Sequence, residues 1–186
     1  MLISIEGNIG SGKSTFCNYL KEHFSKYYNR PHGINILFVD EPVEDWESIK
    51  DSSGDNILER FYKNPEKYAF CFQMTAYISR LANLKKAIKK CKEGDIIITE
   101  RSVFSDYNVF AKMLYDGGLM DKRDYETYCE LFQNMSNFMK KPNIIVHLDL
   151  SPEESYRRIQ MRSRDCESGI SLEYLKGLHA AYEVFI

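Results

Sequence analysis

Short apolar runs alternate with stretches of helical periodicity along the 186 residues of the chain. Leu2-Ile3-Ser4-Ile5 reads as a buried strand that breaks at Gly7, and Phe16, Leu20 and Phe24 then mark one face of a helix over 13–27. A second strand is expected through Ile34, Ile36, Leu37, Phe38 and Val39, ending on Asp40 and Glu41. Pro65 suits the first turn of a long helix over 65–91, in which Cys71, Met74, Ile78, Leu81 and Ile88 recur at helical spacings. Gly94-Asp95 closes that helix and opens a strand over 96–99, which stops at Glu100-Arg101. Helices over 103–115 and 122–140 flank Gly117-Gly118, and Pro142 precedes a strand over 144–150. Ser151-Pro152-Glu153-Glu154 supplies the next helix with an N-cap, a proline in its first turn and an acidic start. This alternation predicts an α/β fold, a parallel sheet joined by right-handed crossovers. With no repeat or linker in the pattern, one domain over 1–186 is expected.

Composition narrows the picture. Hydrophobic residues make up 44%, enough for a sizeable core, and 25 Lys+Arg against 27 Asp+Glu leave a net charge of −2. That balance provides no global basic field for a nucleic-acid partner. Runs such as Ile96-Ile97-Ile98 fall far short of the ~18 residues of a membrane span, and the start lacks the pattern of a secretory signal. Five cysteines without a CxxC pair suit reduced thiols, so a cytoplasmic location is expected.

Gly7-Asn8-Ile9-Gly10-Ser11-Gly12-Lys13-Ser14 matches the phosphate-loop pattern GxxxxGK[ST], between a strand and a helix. Its glycines let backbone N–H groups turn in around a triphosphate, Lys13 reaches the β/γ-phosphates, and the Ser14 hydroxyl can ligate Mg²⁺. No Asn-Lys-x-Asp element for guanine is present, which argues against a switch GTPase. Carboxylates and arginines stand instead at strand ends, where open α/β sheets bind ligands: Glu41-Pro42-Val43-Glu44-Asp45-Trp46 and Glu100-Arg101-Ser102. Arg158, Arg162 and Arg164 read as a lid over phosphates, with the acids Asp165 and Glu167 coming only after them.

On several of these motifs in order, the chain resembles the deoxyribonucleoside kinase family, most of all its deoxycytidine/deoxyguanosine kinase branch. The shared pieces are Gly7 to Thr15, Glu41-Pro42-Val43-x-x-Trp46, Phe61-Tyr62, Phe72-Gln73, Glu100 to Asp106, Arg162-Ser163-Arg164 and Gly169 to Leu175. The resemblance implies a three-layer P-loop fold, transfer of the ATP γ-phosphoryl group to a 5′-hydroxyl, and a homodimer. By resemblance Glu41 receives the hydroxyl proton and Arg101 holds Glu41, while Glu100 joins Ser14 at the metal; Glu100 as the base stays open at this point. Tyr62 and Glu167 correspond to contacts of the 3′-hydroxyl. Gln73 pairs with the base, Phe72 and Phe110 flank it, and Val43, Trp46 and Leu58 line the pocket. The trio Ala76, Arg80 and Asp106 accompanies use of deoxycytidine and purine deoxynucleosides in the family, with Arg80 and Asp106 expected to pair. Family members continue past this point with a strand beside 144–150 and a last helix, so the domain is expected to be C-terminally short. The competing readings are a thymidine-preferring or broad-specificity kinase, a thymidylate-type monophosphate kinase, which would need cations where Glu41 stands, and a non-catalytic nucleotide-binding protein.

Overall fold

The computed structural model describes residues 1–27, 34–136, 139–162, 164–167 and 169–186. Four strands, β1 (Leu2–Glu6), β2 (Ile36–Val39), β3 (Ile96–Glu100) and β4 (Ile144–His147), form a parallel sheet in the order β2-β3-β1-β4. Its register pairs Ile5 with Glu100, Glu6 with His147 and Val39 with Thr99, so the carboxyl ends of all four strands share one edge.

Period-two alternation divides the sheet between two helical layers. Ile3, Ile5, Ile36, Phe38, Ile96 and Ile98 pack against Phe16, Cys17, Leu20 and Phe24 of α1 (Lys13–Tyr27). On the opposite face Leu2, Leu37, Val39 and Ile97 meet Leu84 and Ala87. These last two belong to α4 (Pro65–Lys90), which follows α2 (Val43–Ser48) and α3 (Ile57–Lys63). The Asn56–Glu59 capping box fixes the start of α3 and thereby the placement of Leu58 and Tyr62.

Three expectations need correction. Strand β2 starts at Ile36, leaving Ile34 exposed, and β4 ends at His147 rather than at residue 150. On α4 the periodic set Cys71, Ile78 and Ile88 is exposed, whereas Phe72, Gln73, Ala76, Tyr77 and Arg80 are buried. The reason is that this helix is a wall of the site, so its inward face carries polar side chains. The third concerns the helix expected over 103–115. It is α5 (Val103–Ser105), then a π-helical turn Asp106–Ala111, then α6 (Lys112–Asp116). Within the widened turn the Asn108 Nδ2 donates to the Phe104 carbonyl at 2.8 Å. α7 (Lys122–Ser136) ends before 137–138, which lie outside the described residues, as does Ser163 of the expected lid. α8 (Pro152–Arg162), a 3₁₀ turn (Asp165–Glu167) and α9 (Leu172–Phe185) complete the chain. Among the described residues no helix is long and apolar enough to cross a membrane.

Candidate active site

A cleft of about 1410 Å³ opens along the carboxyl edge of the sheet, walled by α2, α3, α4, the π-helical turn and the lid. Single small-ligand pockets run to ~300–1,000 Å³, so this one has room for two ligands side by side.

The phosphate loop forms one end. Gly10 has φ +78°, and a Cβ there would sit 2.7 Å from the Ser155 carbonyl oxygen of α8, which leaves glycine as the residue that fits. The Lys13 Nζ donates to the Asn8 carbonyl at 2.6 Å, closing the loop on itself. Burial, helped by the nearby Arg101 charge, lowers the Lys13 pKa to about 7 against the pull of Glu41, Glu100 and Glu6. The Asn8 side chain points away from the cradle and donates to the Leu175 carbonyl at 2.8 Å, tying the loop to α9. Ile9 packs among Val109, Leu178, Ile159 and Leu175. Ser14 and Thr15 are exposed at the start of α1.

The Ser14 Oγ donates to the Glu100 Oε1 at 2.8 Å. Two hard oxygens at the foot of a phosphate loop suit a small cation that keeps phosphate and water ligands. Among the described residues no group of three or more His, Cys, Asp or Glu could hold a metal alone.

Glu41, just past β2, is gripped by two arginines. Its Oε1 lies 2.5 Å from the Arg101 Nη1 and 3.0 Å from the Arg80 Nη2. Burial pushes its carboxyl up, yet Arg101, Arg80 and Lys13 outweigh burial and hold it down at about 2. Arg101 adopts φ +60°, a left-handed conformation unusual for a side-chain-bearing residue, and its guanidinium lies 4.9 Å from the centre of the Phe110 ring. Arg80 also donates through Nε to Asp106 at 2.8 Å and through Nη1 to the Glu100 carbonyl at 3.0 Å. Arg80 and Asp106 therefore pair, and the same guanidinium reaches Glu41 and the end of β3.

Beyond Glu41 the cleft becomes aromatic. Trp46 meets Phe72 edge to face at 5.4 Å and donates to the Ser79 Oγ at 2.9 Å. Phe72 stacks on Phe61 at 4.8 Å and lines the cleft with Val43, Leu58, Ala76, Asp106 and Phe110. Gln73 is 1% exposed and lines the cleft, and among the described residues nothing hydrogen-bonds its amide. Tyr62, held protonated by burial, stands beside Tyr174 and under the lid, where Gly169 approaches its backbone.

The lid arginines are not free cations here. Arg162 grips Glu167, with Nη2 at 2.5 Å from Oε1, and the Arg164 Nη1 lies 3.6 Å from the same oxygen. Arg158 donates to Glu154 at 2.9 Å, one helical turn back. Acids therefore precede the arginines as well as follow them, because residues four apart share one helix face.

The sequence reading missed three groups: the buried Glu6 at the end of β1, and on α9 the half-buried Tyr174 and the buried Tyr182. The signal for Glu6 was a carboxylate closing an otherwise apolar strand just before Gly7. The tyrosines gave none, since aromatics at helical spacing read as ordinary core.

Comparison with known proteins agrees with this geometry. A family model described as deoxynucleoside kinase matches residues 3–186. Deoxyadenosine kinase of Dictyostelium discoideum is 42% identical over 185 residues, covering 99% of this chain and 66% of that protein. A probable deoxycytidine kinase of fowlpox virus is 38% identical over 99% of this chain and 71% of its own length. Deoxycytidine kinase of Mus musculus is 36% identical, with 99% and 74% covered. The chain thus spans from about two thirds to three quarters of the length of these relatives. With a family model spanning nearly every residue and a cleft built from the motifs that carry the likeness, this chain belongs to the deoxynucleoside kinase family.

Proposed function

We propose that this protein transfers the γ-phosphoryl group of ATP to the 5′-hydroxyl of a deoxyribonucleoside, favouring deoxycytidine or a purine deoxynucleoside over thymidine. The observation that carries this reading is Glu41, an ionised carboxylate held by two arginines in the same cleft as the phosphate loop. A negative charge there suits a neutral hydroxyl and repels an acceptor phosphate, which disfavours a monophosphate kinase.

Phosphoryl transfer passes through a loose transition state in which positioning and charge neutralisation matter most. Lys13 and Arg101 supply positive charge near the transferring group, and release of Arg162, Arg164 and Arg158 from their carboxylates would add more. Glu41 is too acidic to draw a proton early; its part is to orient the hydroxyl and to receive the proton late. Ser14 and Glu100 would hold Mg²⁺. A magnesium ion held there with ATP would supply charge neutralisation for the triphosphate.

The unbonded Gln73 amide pairs with the base edge between Phe72 and Phe110. Tyr62 and Glu167 serve the 3′-hydroxyl, and Arg80–Asp106 faces the exocyclic amine. The relatives, a deoxyadenosine kinase and deoxycytidine kinases, accord with that preference. A homodimer through α4 and α7, where Ile78, Ile88 and Leu131 are exposed, and a cytoplasmic location, in keeping with five free cysteines, complete the proposal. Mass in solution checks the first and cell fractionation the second.

The deciding assay measures ADP release from Mg-ATP with each of the four natural deoxynucleosides and with deoxycytidine monophosphate. Turnover of deoxycytidine or a purine deoxynucleoside above thymidine is expected. Silence with all four nucleosides, or faster turnover of the monophosphate, would refute the activity; thymidine as best substrate would refute the preference.

A further inference from the structure

Behind the groups that face the cleft lies a buried relay, Glu6 and Tyr182, that does not line it. The Tyr182 ring is clamped by His147, stacked at 5.4 Å, and by Phe110, edge to face at 6.2 Å. Phenylalanine would fill that space equally well, so packing alone does not call for the hydroxyl. A buried hydroxyl is costly unless bonded, and this one both accepts and donates. It accepts from the Arg101 Nε at 3.3 Å and donates to the Glu6 Oε2 at 3.3 Å. Burial and Glu6 keep the phenol protonated, so its one proton is available for Glu6 and a lone pair for Arg101.

Glu6 is 0% exposed, and the Ser4 Oγ donates to its other oxygen at 2.6 Å. Among the described residues no cation forms an ion pair with it. An acidic side chain at the heart of the sheet is expensive to bury, and here it leads to one place. Through Tyr182 it bears on Arg101, whose other nitrogens reach the Glu41 Oε1 at 2.5 Å and the Gly7 carbonyl at 3.4 Å. Arg101 is also the residue in left-handed backbone conformation, so its side chain depends on such anchors to stay aimed.

We propose that Tyr182 and Glu6 are positioning residues for phosphoryl transfer: the Tyr182 hydroxyl, oriented by Glu6, fixes the Arg101 guanidinium and through it the Glu41 carboxylate and the first residue of the phosphate loop. This rests on the kinase reading above, in which Glu41 meets the acceptor hydroxyl.

The test compares the unmodified protein with Tyr182→Phe, Glu6→Gln and the double variant. For each, kcat, the KM values for ATP and deoxycytidine, and the melting temperature are measured. Small misplacements of catalytic groups cost rate steeply, so Tyr182→Phe is expected to lower kcat at least about fivefold, with both KM values within about threefold. Glu6→Gln should act in the same direction, and the double variant should be no worse than the poorer single, because both cut one relay. A fall in kcat below that size, a larger change in KM than in kcat, or losses that multiply in the double variant would overturn the proposal. If Glu6→Gln does not fold, Tyr182→Phe decides alone. Absence of turnover in the unmodified protein overturns the kinase reading and this proposal together, whereas turnover indifferent to Tyr182→Phe overturns this proposal only.

Discussion

Lys13 is needed for a triphosphate and is a burden on the fold without one. Its ammonium is buried under the phosphate loop, and its pKa falls from 10.5 to about 7 even with Glu41, Glu100 and Glu6 nearby. The gap between those values corresponds to about 5 kcal/mol, at roughly 1.4 kcal/mol per pH unit. Its sign follows from proton binding. Below pH 7 the lysine is charged in both states, and the folded state bears the whole cost. Between pH 7 and 10.5 the folded state has released its proton while the unfolded state keeps it, so stability rises with pH. Replacing Lys13 by Met, similar in volume, removes the buried charge and also the hydrogen bond to the Asn8 carbonyl, worth about 1.5–3 kcal/mol for a charged donor. The net gain near pH 6.5 is then about 2–3 kcal/mol, or about 4–12 °C in melting temperature for a chain this size. It should shrink toward zero by pH 9. Thermal scans at both pH values, with and without Mg-ATP, test this. Mg-ATP should raise the melting temperature of the unmodified protein and leave that of Lys13→Met unchanged. A variant no more stable than the parent at pH 6.5, or a gain undiminished at pH 9, would refute the reasoning.

Glu41→Gln keeps the shape and loses the negative charge; it should cut kcat by ~10²–10⁴-fold while preserving stabilisation by Mg-ATP, and near-normal turnover would contradict the assignment. Because Glu41 is held at about 2, against 4.5 ordinarily, its contribution to stability is full above pH 4.5 and fades as pH falls through 2, so acid unfolding of Glu41→Gln should lack that component. Arg162→Ala and Arg164→Ala should lower kcat by more than they raise the nucleoside KM, since charge on the transferring group is redistributed in the transition state; an effect confined to the KM for ATP would make them plain binding residues. Replacing Arg80 by Met and Asp106 by Ala together removes the ion pair without stranding either charge, and should raise thymidine use relative to deoxycytidine in paired kcat/KM assays. An unchanged ratio would leave the pair a structural bridge.

Much of the sheet and the phosphate loop was legible because each rests on local pattern. Short apolar runs at 2–5, 36–39 and 96–98 had to form strands, and Gly10 and Lys13 follow from what a phosphate demands. The inward face of α4 was misread because the pattern assumes that burial follows hydrophobicity, whereas Gln73 and Arg80 are buried to face ligands. The pairing of Arg158 with Glu154 was present in the spacing and overlooked in favour of the acids downstream. Links spanning the chain are of another kind. Arg80 to Glu41, 39 positions apart, and Tyr182 to Glu6, 176 apart, exist only once the sheet order is set, and no local periodicity encodes them. The left-handed Arg101 was equally silent, since such a conformation is normally announced by glycine or asparagine.

The π-helical turn from Asp106 to Ala111 absorbs one residue more than an α turn would, and so decouples what lies before it from what lies after it. Each residue of an α-helix turns the chain by about 100°, so if the same residues wound as an ordinary α-helix, everything downstream would rotate by about that angle against everything upstream. Leu114, fully buried in the cluster containing Trp46 and Phe72, would swing away from the cleft wall, while Asp106, upstream, kept its aim at Arg80. Asn108, whose amide answers the Phe104 carbonyl in the widened turn, marks where the additional residue is accommodated. Deleting one residue inside the turn would restore ordinary winding and leave both flanks in place, so such a deletion should be borne better here than elsewhere in the helix. A chimera exchanging this segment with a relative can therefore differ by that one residue and still aim Asp106 and Leu114 alike.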